Sequence, residues 1–280
     1  MSGFKKSTIK TIIRNKLGKV FASVEDETLR ELMKRDTLVT GGAIASMCLG
    51  EKINDYDLYF KSFETAEKVA AYYVDKFNKA RTTGGVEYTP TVKTDTVRNI
   101  KGEEEQRLII YMKSAGVAGE QQADYHYFET QPDHQTADFM ESLVQAEDDL
   151  ELVTQTLEQV KDVKHDYRPI FLTNNAISLT DKTQIIIRFY GTPEEIHKNF
   201  DFVHCQGVYD YQQDELLLSS ETLMALMSKQ LVYTGSLYPV ASVIRMRKFL
   251  KRGWNISAGQ IIKMLHQISL VNWEDPNCLN

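Results

Sequence analysis

The stretch LVTGGAIASMCLGEKINDYDLYF, Leu38 to Phe60, decides how the rest of the chain is read. With Thr37 its apolar start is a short strand. Gly41-Gly42 breaks it, because glycine opens backbone angles closed to other residues and lets a ligand approach the main chain. AIASMCLG then reads as a helix stopped by Gly50. DYDLYF is a second strand, in which residues two apart share a face. Asp55 and Asp57 therefore project together, while Tyr56, Leu58 and Phe60 point into a core. Each piece alone is an ordinary turn or an edge-strand acid. Together they predict a site. The helix after the glycines offers N–H groups and a positive dipole end to phosphates. The paired carboxylates repel each other unless a divalent cation sits between them, and magnesium favours a few carboxylates with phosphate oxygens.

Outward from this stretch, helical spacing of Ile9, Ile12, Ile13, Leu17, Val20 and Phe21 predicts an amphipathic N-terminal helix. SVEDETLRELMKR (Ser23 to Arg35) opens with a capping pattern and continues helically. SFETAEKVAAYYVDKF follows the DYDLYF strand as another helix. Residues 80–166 read as an inserted elaboration, with a buried strand in RLIIYMKSAG and a long charged helix over Met140 to Asp162. IFLTNNAISL and TQIIIRFYG then predict a hairpin around a TDK turn (Ile170 to Gly191). TPEEIHKN is a short Thr-capped helix with Pro at its first position. FDFVHCQGVYDY is predicted as a strand, and the chain is helical from about Leu216. The expected architecture is α/β (α+β): a mixed sheet flanked by helices over 1–215, then a C-terminal helical domain over 216–280.

The chain has 280 residues, 42% hydrophobic and 26% charged, which suits a globular protein with a sizeable core. No apolar run is long enough to span a bilayer, and the basic N-terminus lacks the apolar block of a secretory signal. Three widely spaced cysteines, Cys48, Cys205 and Cys278, argue against a disulfide framework or a structural zinc site, so a reducing cytoplasm is expected. The net charge of −6 excludes general attraction to nucleic acid. Basic charge is local: Met1 to Val24 carries no acid, and RMRKFLKRGW (Arg245 to Trp254) is strongly basic.

A third carboxylate would complete a two-metal arrangement. Asp201, in KNFDFVHC, is expected to begin a strand and face away from Phe200 and Phe202. Asp124 and Asp210 are weaker candidates. Arg245 and Lys248, with Arg247, Lys251 and Arg252, are candidates for gripping the triphosphate or an acceptor backbone; the alternative is a solvated helix face. Tyr233, Ser236 and Tyr238 are expected to be structural, though near enough in sequence to touch ribose or base. His204 is expected in the core, as are Met224, Met227, Met246 and Met264.

The diglycine, the gap of about twelve residues, the DYDLYF strand and a later isolated Asp resemble the nucleotidyltransferase superfamily of DNA polymerase beta. GGAIASMCLGEKINDYDLYF is most similar to the head of poly(A) polymerases and CCA-adding enzymes. There a Gly-Gly helix, a Leu-Gly stop and an Asp-x-Asp strand come in this order. TNNAISL, QIIIRF, TPEEIHKNFDFVH and SLYPVASVIRMRKFLKRGW, within Leu172 to Gln267, resemble a group of phage-encoded nucleotidyltransferase-like proteins. The chain departs from CCA-adding enzymes at Ala45-Ser46, where they carry Arg-Asp, and in lacking their Glu-Asp-x-x-Arg motif. The resemblance implies transfer of a nucleoside monophosphate from an NTP to a hydroxyl, with loss of pyrophosphate. It implies Mg2+ or Mn2+ on Asp55, Asp57 and Asp201, and NTP contacts from Gly41, Gly42, Ser46, Arg245 and Lys248. An RNA 3′ end is the first acceptor it suggests. Nucleotidylation of a protein, or a non-catalytic phage protein on the same fold, are the alternatives.

Overall fold

The computed structural model describes residues 3–80, 89–98, 104–111, 166–236 and 239–271. They divide into two compact units. The first takes the described residues up to 111, 166–198 and Cys205–Ser219; the second takes Asn199–His204 and the described residues from Ser220 onward.

The first unit is a mixed seven-stranded sheet with helices packed on it. Helix α1 (Lys6–Ala22) buries Ile9, Ile13, Leu17, Val20 and Phe21, the stripe expected from its spacing. Each such side chain contributes about 1.5–3 kcal/mol over an exposed one. Helix α2 (Glu27–Asp36) starts later than its capping pattern suggests, because Asp26 is the residue that accepts the Leu29 N–H. Strand β1 (Thr37–Thr40), helix α3 (Gly42–Leu49), strand β2 (Tyr56–Phe60) and helix α4 (Phe63–Ala80) follow the predicted order. Gly50 ends α3 in the left-handed conformation, at φ 69°.

A separate hairpin, β3 (Thr91–Arg98) with β4 (Glu104–Tyr111), sends Leu108 and Ile110 into the core of this unit. This part of the supposed insertion is therefore integral. The charged helix predicted over Met140 to Asp162 and the candidate Asp124 lie outside the described residues. Where one hairpin arm was expected, two strands form: β5 (Pro169–Leu172) and β6 (Ala176–Leu179) turn at Thr173, whose hydroxyl caps the Ala176 N–H. Strand β7 (Thr183–Tyr190) and helix α5 (Pro193–His197) come next, the latter with a Thr192–Glu195 capping box.

The predicted FDFVHCQGVYDY strand is corrected. Asp201 sits in a bend, Val203–Cys205 forms a single 3-10 turn, and only β8 (Val208–Asp210) joins the sheet. A further short strand, β9 (Glu215–Leu217), precedes the helices. The sheet order is β5-β6-β7-β2-β1-β8-β9. β2 lies antiparallel to β1 and parallel to β7, so it is central and buries Tyr56, Leu58 and Phe60 in the core as expected.

The second unit holds α6 (Ser220–Ser228), α7 (Pro239–Lys251) and α8 (Ala258–Ser269), with a parallel pair of two-residue strands, β10 (Gln230–Leu231) and β11 (Asn255–Ile256). His204 is buried here among Phe202, Phe249 and Trp254, as a core histidine. Met264 is buried, but Met224 and Met227 are 70% and 73% exposed, against expectation. α6 buries Thr222, Ala225 and Leu226 instead, the opposite side of the helix. No described helix is long and apolar enough to cross a membrane.

Candidate active site

Strand β1 delivers the diglycine to the end of the sheet, where β2 begins. Gly41 adopts φ +105°, a conformation that L side chains rarely take. It has no room for one either: a Cβ there would stand 2.9 Å from Asp57 Oδ2. The turn therefore lies directly against the Asp57 carboxylate. Gly41 donates its N–H to the Cys205 carbonyl at 3.1 Å, and a Cβ on Gly42, the first residue of α3, would meet only open space. The first N–H groups of α3 have no intrahelical acceptor and face this same end. Ser46, expected to touch the NTP, is buried within α3.

Asp57 is half-buried in β2, and Asp55 is exposed just ahead of it. Burial, and then the neighbouring Asp55 carboxylate, hold the Asp57 carboxyl well above the ordinary carboxylate range. A pair of this kind gains from a positive charge. Its oxygen-only donors fit a hard divalent cation such as Mg2+ or Mn2+, for which Asp55 and Asp57 are the residues at hand.

The strand register extends the site across the sheet. Asp57 lies beside Gln184 of β7, and Gln184 beside Ser178 of β6. Partners in register share a face, so an amide and a hydroxyl flank Asp57 on this side. On the other side the β1 register, one step beyond Val39–Leu58, brings in Thr40. Its hydroxyl meets His197 Nε2 at 2.8 Å and donates to the Gly207 carbonyl at 2.7 Å. Burial pulls the His197 imidazole down to about 4, against a small opposing pull from Glu194. The sequence reading missed Thr40, Gln184 and His197. Long-range pairing brings them together, and no motif spacing carries that information.

The remaining residues singled out from the sequence have these surroundings. Asp201 is in the second unit, where Arg245 Nε reaches its Oδ2 at 2.6 Å. The expected third metal ligand and an expected triphosphate contact are thus partners of each other. Among the described residues no three Asp, Glu, His or Cys side chains come together as a metal-binding group. Asp210 pairs with Lys61 at 2.6 Å. Lys248 is half-buried and Arg247 exposed on α7. Tyr233 and Ser236 are buried and share Gln267 as a hydrogen-bond partner, which fits the structural role expected of them. Tyr238 lies outside the described residues.

The chain is similar in structure to a Thermotoga maritima CCA-adding enzyme complexed with tRNA, at TM-score 0.39 and 11% identity, over 90% of this chain and 45% of that one. It is also similar to a tRNA-processing enzyme with CTP, at TM-score 0.37 and 10% identity, over 87% of this chain and 46% of that one. Likeness at this level carries no weight on its own. In sequence it is 26% identical over 86 residues to Gabija anti-defense 2 of Bacillus phage SPbetaL7, which is 30% of this chain and 22% of that protein. The chain thus spans under half of each solved structure, and the matched stretch is under a quarter of the phage relative. Residues 11–229, well over half of the chain, match the family described as Gad2, Gabija anti-defense 2 family protein, and the chain belongs to it.

Proposed function

We propose that this chain is a metal-dependent nucleotidyltransferase that acts against the Gabija defence by transferring a nucleoside monophosphate from an NTP to a hydroxyl of a defence component. One observation carries the reading: the positive-φ Gly41 turn at the start of α3 packs against Asp57, with Asp55 adjacent. A phosphate-binding turn and a carboxylate pair at one end of one sheet are the two halves of a triphosphate site.

In this reading the turn and the α3 N-terminus take triphosphate oxygens. Asp55 and Asp57 hold the divalent cation, which when bound neutralises phosphate charge. The acceptor oxygen bonds to the α-phosphorus as the bond to pyrophosphate breaks. Positioning and charge neutralisation supply the rate, as in phosphoryl transfer generally. An anti-defense family favours a protein acceptor over the RNA 3′ end that the sequence suggests first.

The test is incubation with each α-32P-labelled NTP and Mg2+ or Mn2+, with purified Gabija proteins in one arm and total host RNA in the other. The comparison is Asp55→Ala with Asp57→Ala. Label on a Gabija protein that the double variant abolishes supports the proposal. Label on RNA corrects the acceptor. No carboxylate-dependent label in either arm overturns the proposal in favour of a non-catalytic binding role.

A further inference from the structure

Thr40 has one hydroxyl proton and two close partners. That proton goes to the Gly207 carbonyl at 2.7 Å; the Cys205 carbonyl, at 3.5 Å, is too distant to compete. The 2.8 Å contact to His197 Nε2 therefore closes only if the ring donates. This fixes the imidazole proton on Nε2. Burial keeps the ring neutral at physiological pH, so the tautomer is maintained. Helix α5, which presents His197, is itself capped: the Thr192 N–H donates to Glu195 Oε2 at 2.7 Å, and the Glu195 N–H to Thr192 Oγ1 at 3.3 Å.

The residue after Thr40 is Gly41, whose N–H is held by the Cys205 carbonyl and whose Cα abuts Asp57. The end of β1 is thus gripped from two directions just where the turn leaves the sheet. The segment 205–207 takes the Gly41 N–H and the Thr40 proton. His197 donates its Nε2–H to a lone pair of the Thr40 hydroxyl oxygen.

We propose that His197 is a positioning residue for the phosphate-binding turn: by donating Nε2–H to the Thr40 hydroxyl it holds the Gly41 backbone against Asp57. It touches neither substrate nor cation in this scheme, and acts through Thr40. The inference rests on the nucleotidyl-transfer reading above, since it needs the turn to bind phosphate. Its prediction is narrow. What matters at position 197 is a single neutral N–H donor at the reach of Nε2. A glutamine amide supplies one, and a leucine of similar bulk does not.

The test is calorimetric titration of the full chain with MgATP, MgGTP, MgCTP and MgUTP, carrying the tightest forward. His197→Leu, Thr40→Val and the double variant are compared with His197→Gln. Loss of one neutral hydrogen bond to a buried group predicts nucleotide binding weaker by about threefold to tenfold in His197→Leu, and by at least as much in Thr40→Val, which also loses the bond to the Gly207 carbonyl. The double variant is expected to be no worse than the weaker single, because both remove the same contact. His197→Gln is expected to retain most of the affinity. Should His197→Leu fail to fold, the Thr40→Val and His197→Gln pair still decides the matter. Wild-type affinity in Thr40→Val or His197→Leu, a double variant whose loss is the product of the two, or no rescue by glutamine overturns the proposal. A wild-type chain that binds none of the four nucleotides sinks the nucleotidyl-transfer reading itself, an outcome distinct from any of these.

Discussion

Replacing the two neighbouring glycines by alanine separates a required glycine from an incidental one. Gly41 has φ +105°, and its missing Cβ would sit 2.9 Å from Asp57 Oδ2. A non-glycine residue held in such a sparsely populated backbone region costs about 1–3 kcal/mol. The overlap adds a second effect. The atom met is the tip of a side chain, so the carboxylate is pushed aside and the backbone of β2 stays put. Gly42 has open space around its Cβ position and begins a helix, where alanine is neutral or better by up to about 1 kcal/mol. Urea unfolding is the stability assay. With a slope of about 2 kcal/mol/M, Gly41→Ala is expected to lower the midpoint by roughly 0.5–1.5 M, and Gly42→Ala to leave it unchanged or raise it. Calorimetry with Mn2+ and nucleotide is the functional assay. Gly41→Ala is expected to abolish binding through the displaced Asp57, while Gly42→Ala retains it. Equal midpoints for the two variants would refute the reasoning, because they would show that the turn does not need the geometry assigned to Gly41.

Three further outcomes are expected. The Asp57 carboxyl is held above its unfolded value, so its ionisation opposes folding: the cost is absent below the unfolded carboxylate range and grows as pH rises through the folded value. Asp57→Asn should therefore stabilise the chain at neutral pH, lose that gain as pH falls through the ordinary carboxylate range, and remove any stabilisation by Mg2+; thermal melts across pH with and without Mg2+ check this. His197 has the opposite linkage, because its folded value of about 4 lies below the 6.5 of an ordinary imidazole. Protons bind the unfolded chain first, so wild-type stability should fall between those two values on acidification, and His197→Gln should flatten that slope in the same melts. In the second unit, Arg245→Met leaves the Asp201 carboxylate, 11% exposed, without its cation and should cost about 1–3 kcal/mol, whereas Asp201→Asn keeps an acceptor for Arg245 and should cost less. Hydrogen exchange at Phe202 to His204 is the local readout, and unchanged protection in Arg245→Met would count against the pair as an anchor.

The elements nearest Gly41 were legible because their determinants are local. The apolar stripe of α1, the glycine stops of α3 and the Thr192 cap each act within a turn or two of chain, and each appears as read. Asp55 and Asp57 could be paired from the two-residue period of a strand, and the Asp57 carboxyl does respond to Asp55. The errors share a cause. Met224 and Met227 have helical spacing, but spacing defines a face without saying which face packs, and α6 packs through smaller residues. Asp201 was assigned to a strand because Phe200 and Phe202 flank it. That alternation is satisfied equally by a bend in which Phe202 joins an aromatic cluster and Asp201 meets Arg245.

The neighbour of Asp57 across the sheet is set by which strand docks beside β2, and no single segment of sequence carries that information. That strand is β7, parallel to β2 and separated from it by α4, the β3–β4 hairpin and the whole stretch through β6. Parallel pairing over such a connection depends on packing the Ile185 and Ile187 face against the same core as Leu58 and Phe60, and it fixes Gln184 beside Asp57 as a by-product. An amide there adds no negative charge to a pair whose members already repel each other. Gln184→Glu would add one, and should push the Asp57 carboxyl still higher in the absence of cation. The same change should tighten Mn2+ binding, since each added carboxylate raises the attraction to the ion. Unchanged Mn2+ binding in Gln184→Glu would show that β7 does not face the Asp55–Asp57 pair, and the strand register would no longer define the site.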